Sequence, residues 1–494
     1  MLLGQPTGST FQTDGRRRTL WQRLVRSASL MLAMLPLAAG ADAPGVHFDY
    51  VYSFLGGQAF DVNGGGHQPV GRLFRTADGI YYGVTSGLGA GDPDYGGVFT
   101  PPTIFKFTPG SHGGLTTLHR FTERGEGGYG FGPEGNGVVQ GGDGSFYGAT
   151  SWGLYRITAA GEYSVLHAFA ADGSEGFGES ALTVGTDGNL YGATVTTLYS
   201  VTPTGVLRVL HVFPGGDDGA GPVGDLVRAK DGNFYGTTCC GGSSGAGTVF
   251  RMSLAGEFAT LLSFDVAYTG PKSGLIQARD GSFYGTTRGS VNGDGEELTT
   301  GTAYQISPTG AVTTLHAFSV ATDRWRGFYP LGGLVEANDG NLYGTTRFGG
   351  DHNQGTLYRV TPSGTFLLLH SFEGVTGIYP NTSLLRQGNK LYGLAMGGGL
   401  RGGGTFFKVD PGIVVAKLTL SPNTYNVVPG GTATFTWTSA NASECIASGA
   451  WSGNVALAGT MTVPATVVGT YIYTLTCIGS NETSSSSATL KVKP

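Results

Sequence analysis

DGIYYGVT from Asp78, DGSFYGAT from Asp143, DGNLYGAT from Asp187, DGNFYGTT from Asp231, DGSFYGTT from Asp280 and DGNLYGTT from Asp339 are six copies of one phrase, and QGNKLYGLA from Gln387 is a worn seventh. Gln387 lies 387 − 78 = 309 residues after Asp78, a mean step of about 51.5 residues. Repeats of that length point to propellers, solenoids or arrays, so the period governs every local reading.

Each phrase sits inside a longer frame, clearest around Asp339: YPLGGLVEA, NDGNLYGTT, a glycine-rich loop, then GTLYRVTPSGTFLLLHSF. Runs of Leu, Val, Tyr, Phe and Thr broken by DG and PSG read as four short strands, A to D. Asp-Gly makes a tight A–B turn because Gly accepts positive φ and Asp bonds the local backbone. TPSG, TPTG and SPTG make equally tight C–D turns. The repeated aspartates are therefore turn-makers, since the alternating ligand pattern of a calcium loop is missing. Tyr147, Tyr191, Tyr235, Tyr284, Tyr343 and Tyr392 read as packing between neighbouring sheets. His119, His167, His211, His316 and His370 occupy one repeated position in LHxF phrases. One histidine per repeat cannot share a coordination sphere, so no metal is expected.

The D-type phrase VYSF at Val51 precedes the first DG phrase, while the last repeat ends at its C strand, GTFFKVD, without a D strand of its own. The early strand can supply the missing one, which is how a β-propeller closes its ring. The expected fold is all-β: a seven-bladed β-propeller over residues 46–412 closed by an N-terminal strand, followed by a small immunoglobulin-like β-sandwich over 414–494.

The frame YPxxGLxxxxDGNLYGTT, glycine loop, GTxYxxTPSG, LHSF resembles the GloVer tandem repeat of exported bacterial proteins, those described as choice-of-anchor tandem repeat GloVer-containing proteins. The resemblance covers roughly residues 50–412 and is degraded at Gln387. It implies a surface or secreted setting and brings no catalytic residues. Members often end in an anchoring segment; here another domain follows.

Composition narrows the function. The chain has 494 residues, 13% of them charged, with 89 glycines, 11% aromatics and a formal net charge of −5. The aromatic content rules out a disordered chain, and the missing basic footprint sets aside nucleic acid and anionic membranes. Arg16, Arg17, Arg18, Arg23 and Arg26 precede the uncharged SASLMLAMLPLAAGA from Ser27, the pattern of a secretory leader. Residues 1–41 are expected to be a signal peptide, cut after Ala41 or Ala43, leaving a secreted or cell-surface protein, monomeric and not inserted in a membrane.

In a four-stranded blade the A–B and C–D turns share one end, here tight and uniform. The B–C loops and the D-to-A crossovers share the other, here long and varied, and variable loops on a rigid scaffold are where binding resides. Ligand-binding candidates on that face are Trp325 with Arg324, Arg326 and Tyr329, together with Tyr129 and Tyr379. An aromatic platform beside hydrogen-bonding charges suits a sugar ring or a peptide; the plainer reading is that such aromatics pack where strand A begins, next to Pro133, Pro330 or Pro380. No nucleophile elbow, HExxH or metal-ligand spacing occurs. The expected function is non-enzymatic recognition of an extracellular glycan or protein, without cofactor. The rivals are a polysaccharide lyase or glycoside hydrolase with channel-facing acids, and a structural surface component.

From Val414 the sequence alternates between strand-like runs and PGG, SGN and GSN turns. This stretch resembles bacterial immunoglobulin-like modules, and that pattern implies a disulfide between Cys445 and Cys477, with Trp437 and Trp451 near the core. Cys239 and Cys240 fall in the glycine-rich loop after the fourth phrase, where an oxidising compartment favours a vicinal disulfide over the alternative of two free thiols.

Overall fold

The repeated phrase becomes a hairpin in every case. The computed structural model of the chain describes residues 42–43, 46–55, 66–87, 100–110, 114–122, 137–170, 172–178, 180–265, 270–291, 297–299, 301–307, 310–319, 324–412, 415–421, 427–479 and 483–494. The leader assigned to residues 1–41 lies outside them. Among the described residues the architecture is all-β and propeller-like, with one short 3-10 turn, Gly216–Asp218.

Among the described residues, six four-stranded antiparallel sheets, each built from successive strands A to D, and a five-stranded seventh precede the C-terminal strands, with a two-stranded hairpin, Ser290–Val291 with Glu297–Thr299, between strands B and C of sheet five. Sheet one holds Pro69–Arg75, Tyr81–Thr85, Thr103–Phe107 and Leu115–Arg120. Sheet four holds Ala220–Arg228, Phe234–Cys240, Thr248–Met252 and Phe258–Ser263, and sheet six holds Val335–Glu336, Leu342–Thr346, Thr356–Val360 and Phe366–Ser371. In sheet seven the D position is taken by His47–Leu55, which pairs antiparallel with Gly402–Asp410, Ser53 opposite Thr405.

The sheets bury their faces against one another in sequence. One apolar cluster joins sheets five and six through Tyr284, Phe318, Leu334 and Tyr358. Another joins six and seven through Tyr343, Phe372, Leu384 and Phe407. The seventh sheet then packs on the first, through Phe54, Leu394 and Phe406 against Leu73, Tyr81 and Phe105. Each fully buried large side chain contributes roughly 1.5–3 kcal/mol, so these sheet-to-sheet faces are the main source of stability.

The details of the phrase now have causes. At Asp339 the carboxylate accepts from the Asn341 backbone N–H at 3.1 Å and from the Tyr343 hydroxyl at 2.8 Å, fixing the turn and the tyrosine together. Asp187, Asp231 and Asp280 bond Tyr191, Tyr235 and Tyr284 in the same way, each at 2.8 Å. The tyrosines thus do more than pack between sheets. The glycine after each tyrosine faces a strand C ring: a Cβ on Gly344 would lie 2.5 Å from the Tyr358 hydroxyl, and one on Gly393 2.3 Å from Phe407 Cζ. In five copies the final threonine bonds the threonine at the start of strand C, as in Thr346 to Thr356 at 2.7 Å, whereas Thr150 donates to the Gly153 carbonyl at 3.2 Å.

Four of the five repeated histidines are stacking groups, and the fifth, His167, meets Glu175 at 3.0 Å instead. His119 lies on Tyr163 at 3.9 Å, His211 on Phe258 at 3.7 Å, His316 on Phe366 at 3.9 Å and His370 on Phe48 at 4.0 Å, in each case a ring from the next sheet. Among the described residues no group of three metal-ligating side chains forms.

Strand A departs from the sequence reading. YPLGGLVEA suggests a full strand, yet ladder pairing in sheet six is confined to Val335–Glu336. The reason is crowding around the centre: a Cβ on Gly332 would meet the Thr382 carbonyl at 2.5 Å, and one on Gly274 the Asp225 carbonyl at 2.5 Å. The inner strands approach each other so closely that glycine interrupts them.

After Asp410 two further sheets form. Val415–Ser421, Thr432–Ala440 and Ala458–Pro464 make one; Gly453–Val455, Glu444–Gly449, Gly469–Ile478 and Thr483–Val492 make the other. Phe435, Trp437, Tyr473, Leu475 and Leu490 fill the space between. Cys445 and Cys477 form a disulfide. They are direct cross-strand partners within one sheet, whereas the bridge of an antibody domain links two sheets.

Candidate functional site

The crossover from sheet five to sheet six is held in place before it presents anything. Thr356 donates to the Arg326 carbonyl at 3.1 Å. Gly327 sits at φ +107 where a Cβ would strike Thr346 Oγ1 at 2.2 Å. Phe328 and Phe348 exchange backbone hydrogen bonds at 2.9 and 3.2 Å, and Arg347 donates its N–H to the Tyr329 carbonyl at 2.9 Å.

Tyr329 then adopts φ 59, and Tyr379, at the same place before sheet seven, adopts φ 58. Both precede proline, Pro330 and Pro380. Proline already disfavours helical conformations of either hand in the residue before it, and a left-handed conformation costs an L-residue about 1–2 kcal/mol. The equivalent residue before Pro222 is Gly221, at φ 60, and that before Pro69 is Gln68, at φ 55. Two neighbouring sheets therefore place a large ring where glycine would be free of strain, and local strain of this kind clusters at functional positions.

The rings form one group. Phe348 lies between the tyrosines, 5.8 Å from Tyr329 and 5.4 Å from Tyr379, both edge-on. Arg288 stands over Tyr329 at 5.8 Å; Arg347 stands over Phe348 at 5.2 Å and over Tyr379 at 5.8 Å. All five side chains are half-buried.

The structure thus brings Tyr329 and Tyr379 together. It places Trp325 in a different pair: 52% exposed, with Arg326 over its ring at 4.6 Å, while Arg326 also reaches Phe366 on strand D. Arg324 is exposed on the same crossover. Tyr129 lies outside the described residues. Phe348, Arg347 and Arg288 were not singled out in the sequence, although Arg288 and Arg347 each follow YGTT directly in successive repeats. Trp152 was also missed. It is 47% exposed and meets Phe177, 46% exposed, edge-to-face at 5.5 Å.

At the centre of the seven sheets, their first strands line a cavity of about 840 Å³. Arg72 of sheet one crosses it to Asp225 of sheet four at 3.2 Å and donates to the Leu182 carbonyl of sheet three at 3.2 Å. Asp225 also accepts from the Ala181 N–H at 3.1 Å. That carboxylate is bound up in bracing the cavity rather than free for acid–base work.

Cys239 and Cys240 close strand Phe234–Cys240 rather than lying in a loop, and no bond joins their sulfurs in this structure. Successive strand residues point to opposite faces. Cys239 Sγ lies 3.6 Å from the Ala220 carbonyl and burial pushes its thiol up to about 11, whereas Cys240 is exposed.

The Gloeobacter/Verrucomicrobia repeat profile matches residues 87–292, 136–336 and 290–427, together more than half of the chain. No curated protein matches. Among solved structures, the extracellular domain of BT4673 from B. thetaiotaomicron shares 11% identity at a TM-score of 0.49, over 92% of this chain and 60% of that one. PorZ, a surface component of the type-IX secretion system of Porphyromonas gingivalis, shares 12% at 0.46, over 88% and 61%. The polysaccharide lyase Uly1 shares 10% at 0.42, over 74% and 98%. The chain thus spans about three-fifths of the length of the first two.

Proposed function

The chain belongs to the Gloeobacter/Verrucomicrobia repeat family, and from that premise we propose that it is an exported, non-enzymatic glycan-binding protein that recognises its ligand on the loop face of a closed seven-bladed β-propeller. The ring reading is supported by the apolar cluster between the seventh and first sheets and by the pairing of His47–Leu55 with Gly402–Asp410. The C-terminal pair of sheets is an immunoglobulin-like spacer. Its disulfide favours an oxidising compartment, as does the leader pattern of residues 1–41. Among the described residues no helix is long and apolar enough to cross a membrane.

The observation that carries the binding site is the pair of left-handed tyrosines, Tyr329 and Tyr379, joined through Phe348. Rings held at a conformational cost, half-open to solvent, are surfaces for stacking. The test is a glycan array on the full chain and on Y329G/Y379G. Glycine accepts the backbone geometry, so folding is retained while the rings are lost. Binding should fall at least tenfold with no drop in the unfolding midpoint; unchanged binding removes the site.

A further inference from the structure

We infer that this platform, resting on the glycan-binding reading above, is built for acidic sugars, with Arg288 and Arg347 each receiving a carboxylate of a uronate-type polymer. The two arginines occupy one repeat position in successive sheets, immediately after YGTT. Each lies over the strained tyrosine of the following sheet: Arg288 over Tyr329 and Arg347 over Tyr379. A single Arg–aromatic contact is common, but the same pair built twice side by side, on a backbone that resists it, forms two equivalent subsites with Phe348 shared between them.

Among the described residues neither Arg288 nor Arg347 forms an ion pair. The Arg347 Nε is buried with no hydrogen-bond partner there, and the Arg288 guanidinium meets only the Gly289 carbonyl of its own loop, at 3.4 Å. Elsewhere the chain readily supplies such arginines with acids: Arg156 with Asp143 at 3.1 Å, and Arg279 with Glu336 at 3.0 Å. A guanidinium holds its N–H donors in one plane, and that plane matches the two oxygens of a carboxylate. The aromatic faces beside it would take the apolar face of the sugar ring. Repetition at adjacent sheets suits a polymer that carries an acid on each successive residue, because a second contact on the same chain becomes intramolecular.

The test uses isothermal titration of the full chain with polygalacturonate, with the same polymer after carboxyl reduction, and with dextran sulfate. Polygalacturonate should bind at least tenfold more tightly than the other two, weakening as salt rises. R347M and R288M should each remove most of that preference. R347K, which keeps charge but not the planar fork, should lose about tenfold. Equal binding of the acidic and reduced polymers, with the arginine variants unchanged, overturns the acid assignment and leaves the glycan site standing. Equal binding of dextran sulfate overturns the choice of carboxylate. Binding confined to neutral glycans on the array overturns this inference alone, whereas no glycan binding at all removes the underlying reading with it.

Discussion

Replacing Tyr155, Tyr199, Tyr304 and Tyr358 by phenylalanine should make the protein more stable. These four residues occupy one position on strand C, they are at most 1% exposed, and their hydroxyls have no hydrogen-bond partner among the described residues. Burial pushes all four phenols far above their ordinary value of 10.0. At the same position sheets one, four and seven carry Phe105, Phe250 and Phe407, each fully buried, so the site accepts the ring without the oxygen. A buried hydroxyl without a partner costs about 1–3 kcal/mol in lost hydration. Removing each should therefore return about 1 kcal/mol. The four lie in four different clusters, so the quadruple variant should gain about 4 kcal/mol by additivity of separated sites. Guanidinium unfolding followed by tryptophan fluorescence reads the gain as a higher midpoint at unchanged slope. If each single variant instead loses 1 kcal/mol or more, the hydroxyls are satisfied after all and the accounting of the sheet interfaces is wrong.

Gly344→Ala should cost about 2–3 kcal/mol, because its methyl would meet the Tyr358 hydroxyl at 2.5 Å and overpacking a filled core costs roughly 1–3 kcal/mol; adding Y358L should recover part of the loss, read by the same unfolding curve. Cys445→Ser with Cys477→Ser opens a bridge between residues 32 apart, which should lower the stability of the C-terminal sheets by about 3–4 kcal/mol while leaving ligand binding intact. For Asp187 and Asp231, burial raises the carboxyl pKa, but hydrogen bonds from Tyr191 and Asn189, and from Asn233 and Tyr235, outweigh it, and both titrate below the ordinary 3.8. A depressed carboxyl contributes stability above its unfolded value and loses it as pH falls, so stability should drop below pH 3.8, and D187N/D231N should show a shallower acid limb.

The DG phrase made the strands, the tight turns and the displaced closing strand legible, because these depend on local turn chemistry and on counting. Other features needed coordinates. The glycine of the phrase looks like a loop-former in the sequence, yet Gly344 is fixed by a ring fourteen residues away on strand C. The two-residue strand A of sheet six follows from the close approach of neighbouring first strands at Gly332 and Gly274, and no window of a single repeat contains that fact. The binding platform was half visible. Tyr329 and Tyr379 were found as crossover aromatics, but φ above zero at a tyrosine cannot be read from residue type. Arg288 and Arg347 escaped notice because each belongs to the sheet before its tyrosine. Trp325 and Tyr329 are four residues apart and still face different partners, so proximity along the crossover was a poor guide.

The strand that completes sheet seven sets a timetable for the nascent chain. Ser53 is made early, but its partner Thr405 follows 405 − 53 = 352 residues later. Until Thr405 is made the early strand lacks this partner, and the pairing then closes a loop of about 350 residues, a slow and non-local step. A circular permutant that joins this strand directly after Asp410 would let each hairpin add to the one before it, and should reach the native state faster with the same final contacts.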